Sequence, residues 1–277
     1  MKRKVLLLSL LGAAAAIGVG GYVFASKFDV RRETLALHDA LRNRDVPVEL
    51  SISRRAELKE MLFGIKPRVA LVNHGNTVDH REYTFLANVL ATQGYLVASI
   101  QHDLKGDAPL SQQGFPFVGR LPVYERGAQN IHFVLDEVKK RYPKLDYTKL
   151  TMLGHSNGGD ILMFFAGNNP ELVSKIVTLD NLRVPFLMSG KSRIMSFRSR
   201  DWKPDPGVVP HDDMCEPAGI ELVKTDFQHT DMSDRGPETV KESIRSVLAR
   251  FLAEDKPPKN PKAAPNQTLV NFSAVSP

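Results

Sequence analysis

The chain has 277 residues, 42% of them hydrophobic and 25% charged, with 37 Lys+Arg against 31 Asp+Glu and a formal net charge of +6. That length fits one large domain or two small ones with a sizeable core, and the composition excludes a wholly disordered, collagen-like or multi-span membrane chain. The single cysteine, Cys215, excludes an internal disulfide framework or a thiolate-rich zinc site. Much of that net charge sits at the two ends, so it gives no reason to expect a nucleic-acid partner.

Lys2, Arg3 and Lys4 precede an uncharged run from Val5 to Ser26. A basic start followed by an apolar stretch is what a translocon reads. The run is long enough to span a bilayer as a helix, and Val23-Phe24-Ala25 places small residues where a signal peptidase cuts. Residues 1–26 are therefore expected to be a signal peptide or signal anchor, with membrane contact through residues 5–26. The body is expected to be exported, periplasmic or extracellular.

Thr34 to His38 and Val46 to Ile52 read as two leading strands. Arg68 to Asn73 is a compact apolar run ending at a glycine turn, as a buried strand does. Arg81 to Gln93 carries Phe85, Leu86, Val89 and Leu90 at helical spacing and stops at Gly94. Tyr95 to Ile100 is the next strand, and Asp103 to Pro122 is an irregular insertion. The stripe Tyr124, Ala128, Ile131, Leu135 and Val138 marks a helix over Val123 to Tyr142. Strand Lys149 to Leu153, helix Gly158 to Gly167, and strands Val173 to Leu179, Arg193 to Phe197 and Ile220 to Thr225 follow. A terminal amphipathic helix carries Val240, Ile244, Val247, Leu248 and Phe251. Such alternation predicts one open, mostly parallel sheet covered by helices, over residues 27–253. Residues 254–277, rich in Pro, Lys, Asn and Ser, read as a flexible tail, in which Asn266 and Asn271 open formal glycosylation sequons.

The sharpest motif is Gly154-His155-Ser156-Asn157-Gly158-Gly159, between an apolar strand and a helix. A nucleophile on a strained strand-to-helix turn needs small flanking residues, and the N–H of the residue after it faces the oxyanion. Ser156 is thus the candidate nucleophile and Asn157 the first oxyanion donor. Asn73-His74-Gly75-Asn76 ends an earlier strand, where the second donor, the amide of Asn76, is expected; His74 reads as a brace for that loop. His229, the only one of eight histidines after the last strand, is the candidate base. For the acid, Asp201 stands first, just past Arg193 to Phe197, with Asp205 and Asp180 as alternatives. His102-Asp103 and His211-Asp212-Asp213 lack the spacing of a metal site, so no metal is expected.

With HGN, GHSNGG and a loop histidine in the order Ser, Asp, His, residues 34–253 resemble the α/β-hydrolase family. The resemblance is strongest to its esterase, dienelactone-hydrolase and platelet-activating-factor-acetylhydrolase-like branches. It implies an eight-stranded, mostly parallel sheet and a cofactor-free acyl-enzyme mechanism, with the insertion at Asp103 to Pro122 as a small cap. The expected function is a serine hydrolase cleaving carboxylic ester-type bonds of a small-molecule substrate, with no protein partner. An amidase or exopeptidase, or a non-catalytic anchored binding module, is the alternative.

Overall fold

The computed structural model describes residues 17–111 and 116–254. The start of the N-terminal apolar run and nearly all of the tail with its sequons lie outside them. Residues 17–25 are helical. Among the described residues no helix is long and apolar enough to cross a membrane.

Eight strands form one sheet in the order β1-β2-β4-β3-β5-β6-β7-β8. They are β1 (Val30–Asp39), β2 (Arg44–Ser53), β3 (Arg68–Asn73), β4 (Tyr95–Ile100), β5 (Asp146–His155), β6 (Val173–Leu179), β7 (Arg193–Arg198) and β8 (Ile220–Lys224). The leading hairpin is antiparallel, with Val30 opposite Ser53, and β2 joins β4 antiparallel; every later pairing is parallel. The expected strands are present, the leading two and β5 longer than periodicity marked them. The added ends, residues 30–33 of β1 and 146–148 of β5, are half-buried or exposed and so form no buried apolar run.

Among the described residues, five helices of eight or more residues follow the hairpin: α1 (Arg54–Phe63), α2 (Thr84–Thr92), α3 (Leu121–Arg141), α4 (Asn157–Asn168) and α5 (Glu238–Ala253). Successive strand residues point to opposite faces of the sheet, and the core divides accordingly. Val69, Leu71 and Met152 meet α3 and α4 on one face through Ile131, Val134, Ile161 and Phe165. Ala70, Val72 and Leu153 meet α2 and α5 on the other through Leu86, Leu90, Ile244 and Phe251. Helix α1 is not among the expected elements. It starts where Ser53 Oγ accepts the N–H of Ala56 (3.3 Å) and ends at Gly64 with φ 64°, but it buries only Ala56, so it has no apolar stripe to find.

Strand β4 lies on one side of β3 and β5 on the other, so the chain reverses its direction of growth between them. Loops leave a crevice at the carboxyl ends of the strands at such a point. Register pairs Asn73 with Gly154, His155 with Leu179 and Arg198 with Lys224, which brings HGN, the GHSNGG turn and the last loops to that same end.

Candidate active site

From Leu150 to Ala166 every residue is buried except Ser156. Ser156 has φ 51° and ψ −120°, a left-handed conformation that a non-glycine residue adopts at an energetic cost. Its N–H donates to the carbonyl of Leu179 (2.8 Å), which pins the turn to β6. The glycines around it answer to space. A Cβ on Gly154 would stand 2.4 Å from the Gly158 carbonyl oxygen, and one on Gly158 would stand 2.3 Å from that of Asn73. One on Gly159 would meet Asn181 Cβ at 2.9 Å. Helix α4 therefore starts directly against the HGN loop, and its first amides, which no intrahelical carbonyl satisfies, belong to Asn157 and its neighbours.

His229 opens a short 3-10 turn (His229–Asp231) and is buried. Its Nδ1 lies 2.7 Å from Oδ2 of Asp180, not of Asp201. Asp180 follows the last residue of β6 and takes φ 58°, a conformation that aspartate tolerates better than most side chains. Its carboxylate also accepts from Ser199 Oγ (2.6 Å) and Ser199 N–H (3.2 Å), and pairs with Arg198 (2.9 Å). Burial alone would raise this carboxyl; the hydrogen bond to His229, the Arg198 charge and Ser199 outweigh it and hold it below the ordinary range.

The expectation that Asp201 faces the imidazole is thus corrected. Asp201 is exposed, and its Oδ1 accepts the backbone N–H of His229 at 2.8 Å, so it fixes the loop rather than the ring. Asp205 is turned away to pair with Arg183. Strand β7 ends in Arg198, whose guanidinium fills the place beside Asp180 where an acid from β7 was expected.

Asn76, the expected second oxyanion donor, lies exposed in the turn after β3. The preceding amide is already used: Gly75 N–H donates to Tyr83 Oη (2.9 Å). Tyr83 Oη in turn lies 2.8 Å from His155 Nδ1, and His155 Nε2 lies 3.0 Å from the carbonyl oxygen of His229. With Nε2–H donating to that carbonyl, Nδ1 accepts from the tyrosine hydroxyl. One chain of hydrogen bonds then runs from the HGN loop, through the residue before Ser156, to the His229 loop. Burial, with the nearby His229 adding to it, drives His155 down to about 3, so it stays neutral. His74 braces the loop as its position suggested: its Nε2 accepts the N–H of His102 (2.8 Å) and its Nδ1 meets the Gly75 carbonyl oxygen (2.7 Å).

Neither Tyr83 nor His155 was marked in the sequence, because both look like ordinary core residues until their partners are known. Asp160 was missed as well. It sits one turn beyond Ser156, fully buried, and its Oδ1 accepts the N–H groups of Leu182 (3.1 Å), Arg183 (2.9 Å) and Val184 (2.9 Å). That fixes the loop leaving Asp180, while burial raises the carboxyl to about 6. Trp202 stacks on the His229 ring, with centroids 4.4 Å apart and planes 15° from parallel. It forms the exposed wall of the imidazole.

No protein-family model matches the chain, and no curated protein does. Solved structures do. A dienelactone hydrolase-like promiscuous phosphotriesterase from metagenomic libraries has a TM-score of 0.57 at 13% identity, over 81% of this chain and 98% of that one. Ferulic acid esterase from Streptomyces cinnamoneus has a TM-score of 0.55 at 17% identity, over 82% and 90%. An S-formylglutathione hydrolase from Agrobacterium tumefaciens has a TM-score of 0.54 at 11% identity, over 81% and 95%. At such identities the likeness is one of fold. Together with the strand order and the turn at Ser156, it establishes that this chain has the α/β-hydrolase fold.

Proposed function

We propose that the protein is a serine hydrolase that cleaves a carboxylic ester of a small molecule. The observation that carries this reading is a strained, half-buried Ser156 at a strand-to-helix turn whose neighbour His155 is bonded to the loop of His229, a buried imidazole held at Nδ1 by Asp180. A serine hydroxyl is too weak an acid to attack unaided at neutral pH. In this reading His229 takes its proton through Nε2, while the ionised Asp180 fixes the ring and stabilises the imidazolium. The Ser156 oxygen adds to the ester carbonyl, and the amides of Asn157 and Asn76 receive the resulting oxyanion. Collapse expels the alcohol, protonated by His229. Water, deprotonated by the same imidazole, then releases the acid and restores Ser156.

Structural neighbours that are themselves esterases and hydrolases support the reaction class. The charged N-terminus and apolar run support the further reading that residues 1–26 direct export. Purified Ser156→Ala should retain its melting temperature and lose at least about a thousandfold in p-nitrophenyl acetate turnover. Unchanged turnover by that variant would overturn the mechanism.

A further inference from the structure

Twelve large hydrophobic side chains are exposed among the described residues, and nine of them belong to two short segments: Ile17, Val19, Tyr22, Phe24 and Phe28, and Met61, Leu62, Phe63 and Ile65. In the second segment, residues 61–66 are exposed without interruption. A run of exposed apolar residues is a fault in a solvated surface unless it has a use.

The topology puts both segments at one end of the sheet. Val30 lies opposite Ser53, Ser51 opposite Val97, and Tyr95 opposite Arg68, so the first segment leads into, and the second spans, the end where the parallel strands begin. Backbone bonds join them there: Arg55 N–H donates to the Ser26 carbonyl (2.9 Å) and Arg54 N–H to that of Asp29 (2.7 Å). Ser156 and His229 lie at the opposite end, a strand length of about 20 Å away (six residues at roughly 3.3 Å each).

We propose that this end of the molecule is a docking face for an anionic lipid bilayer, with α1 and the Met61–Ile65 run lying in the interface beside the helix at 17–25. Two observations select a bilayer over other occupants. In the sequence, residues 5–16 precede that helix without a charged residue and themselves follow Lys2, Arg3 and Lys4. The same two stretches, residues 17–29 and 54–66, carry five basic residues, Lys27, Arg54, Arg55, Lys59 and Lys66, against the acidic Asp29, Glu57 and Glu60. Aromatic and aliphatic residues framed by lysine and arginine are what an interfacial segment presents to acidic headgroups. The catalytic end then faces the water, and the substrate arrives from the aqueous side.

The test uses the full chain with Cys215→Ser and one bimane label, either at Phe63→Cys or at Leu41→Cys. Leu41 is 99% exposed, in the β1–β2 turn at the catalytic end. Vesicles are phosphatidylcholine and phosphatidylglycerol at 7:3, with or without brominated acyl chains. The label at 63 should be quenched at least about twofold by the brominated lipid and the label at 41 unaffected. Replacing Met61, Leu62, Phe63 and Ile65 together by Ser should weaken vesicle partitioning at least about tenfold and leave ester turnover unchanged. Vesicle-bound protein with residue 63 unquenched would mean that residues 5–16 tether it alone. Light scattering that shows the quadruple replacement dissociating a dimer would mean that the face is covered by a second copy. Either result overturns the proposal.

Discussion

Asp180 and Asp201 both hold His229, but by different atoms: one takes the ring Nδ1, the other the backbone N–H. That difference predicts unequal consequences for two substitutions that look alike. Asp180→Asn retains the shape and tolerates the positive φ, but presents the ring with an amide and removes the charge opposite the imidazolium. Turnover should fall by about 10⁴-fold. In Asp201→Asn the amide oxygen can still accept the backbone N–H, and turnover should stay within about threefold. Steady-state kinetics of the two variants decides, and equal losses would contradict the assignment of roles. The choice between these carboxylates was not legible in the sequence. Leu179-Asp180-Asn181 does end a strand with the residue types most at home at positive φ. Yet that clue becomes an argument only once Arg198 and Ser199 are seen to converge on the Asp180 carboxylate from the next strand.

At the scale of elements, the site depends on how closely helix α4 approaches the end of β3. A Cβ on Gly158 would lie 2.3 Å from the Asn73 oxygen and 2.4 Å from the His74 oxygen, both backbone atoms with nowhere to go. Gly158→Ala should therefore destabilise the protein by about 3 kcal/mol or more, at the upper end of overpacking effects. Urea denaturation measures this, and a stable, fully active Gly158→Ala would show that α4 can shift without harm to the site. This element was legible in advance, because the glycine spacing and the apolar strand before it express the same steric demand. Helix α1 was not. With only Ala56 buried, it shows no apolar period, and its exposed end gains meaning only from the segment docked beside it.

Across the whole molecule, buried imidazoles set the response to acid. His155 is held at about 3, and burial also lowers His74, His80 and His102 from their ordinary value near 6.5. The unfolded chain takes up protons on these rings at about pH 6.5, while in the folded chain all four resist protonation at that value, His155 down to about pH 3. The unfolded state therefore binds more protons in that window, and stability falls as pH drops through it. Asp160 acts in the opposite sense. Its carboxyl is raised to about 6, so its contribution is present below about pH 4 and lost as pH rises through 6. Four rings outweigh one carboxyl, and urea midpoints should decline steadily from pH 6.5 to 4. A flat profile would contradict the neutral state of this network. The alternation of strands and helices made the architecture readable at this scale. The buried network was not readable, because its members come from four distant stretches of chain.

Whether Ser156 is an activated nucleophile is tested by labelling the folded protein with a fluorophosphonate, followed by peptide mass mapping. One adduct is expected, on Ser156, lost in Ser156→Ala and strongly slowed in Asp180→Asn. A folded protein that takes no label, or takes it on another residue, would contradict that role for Ser156.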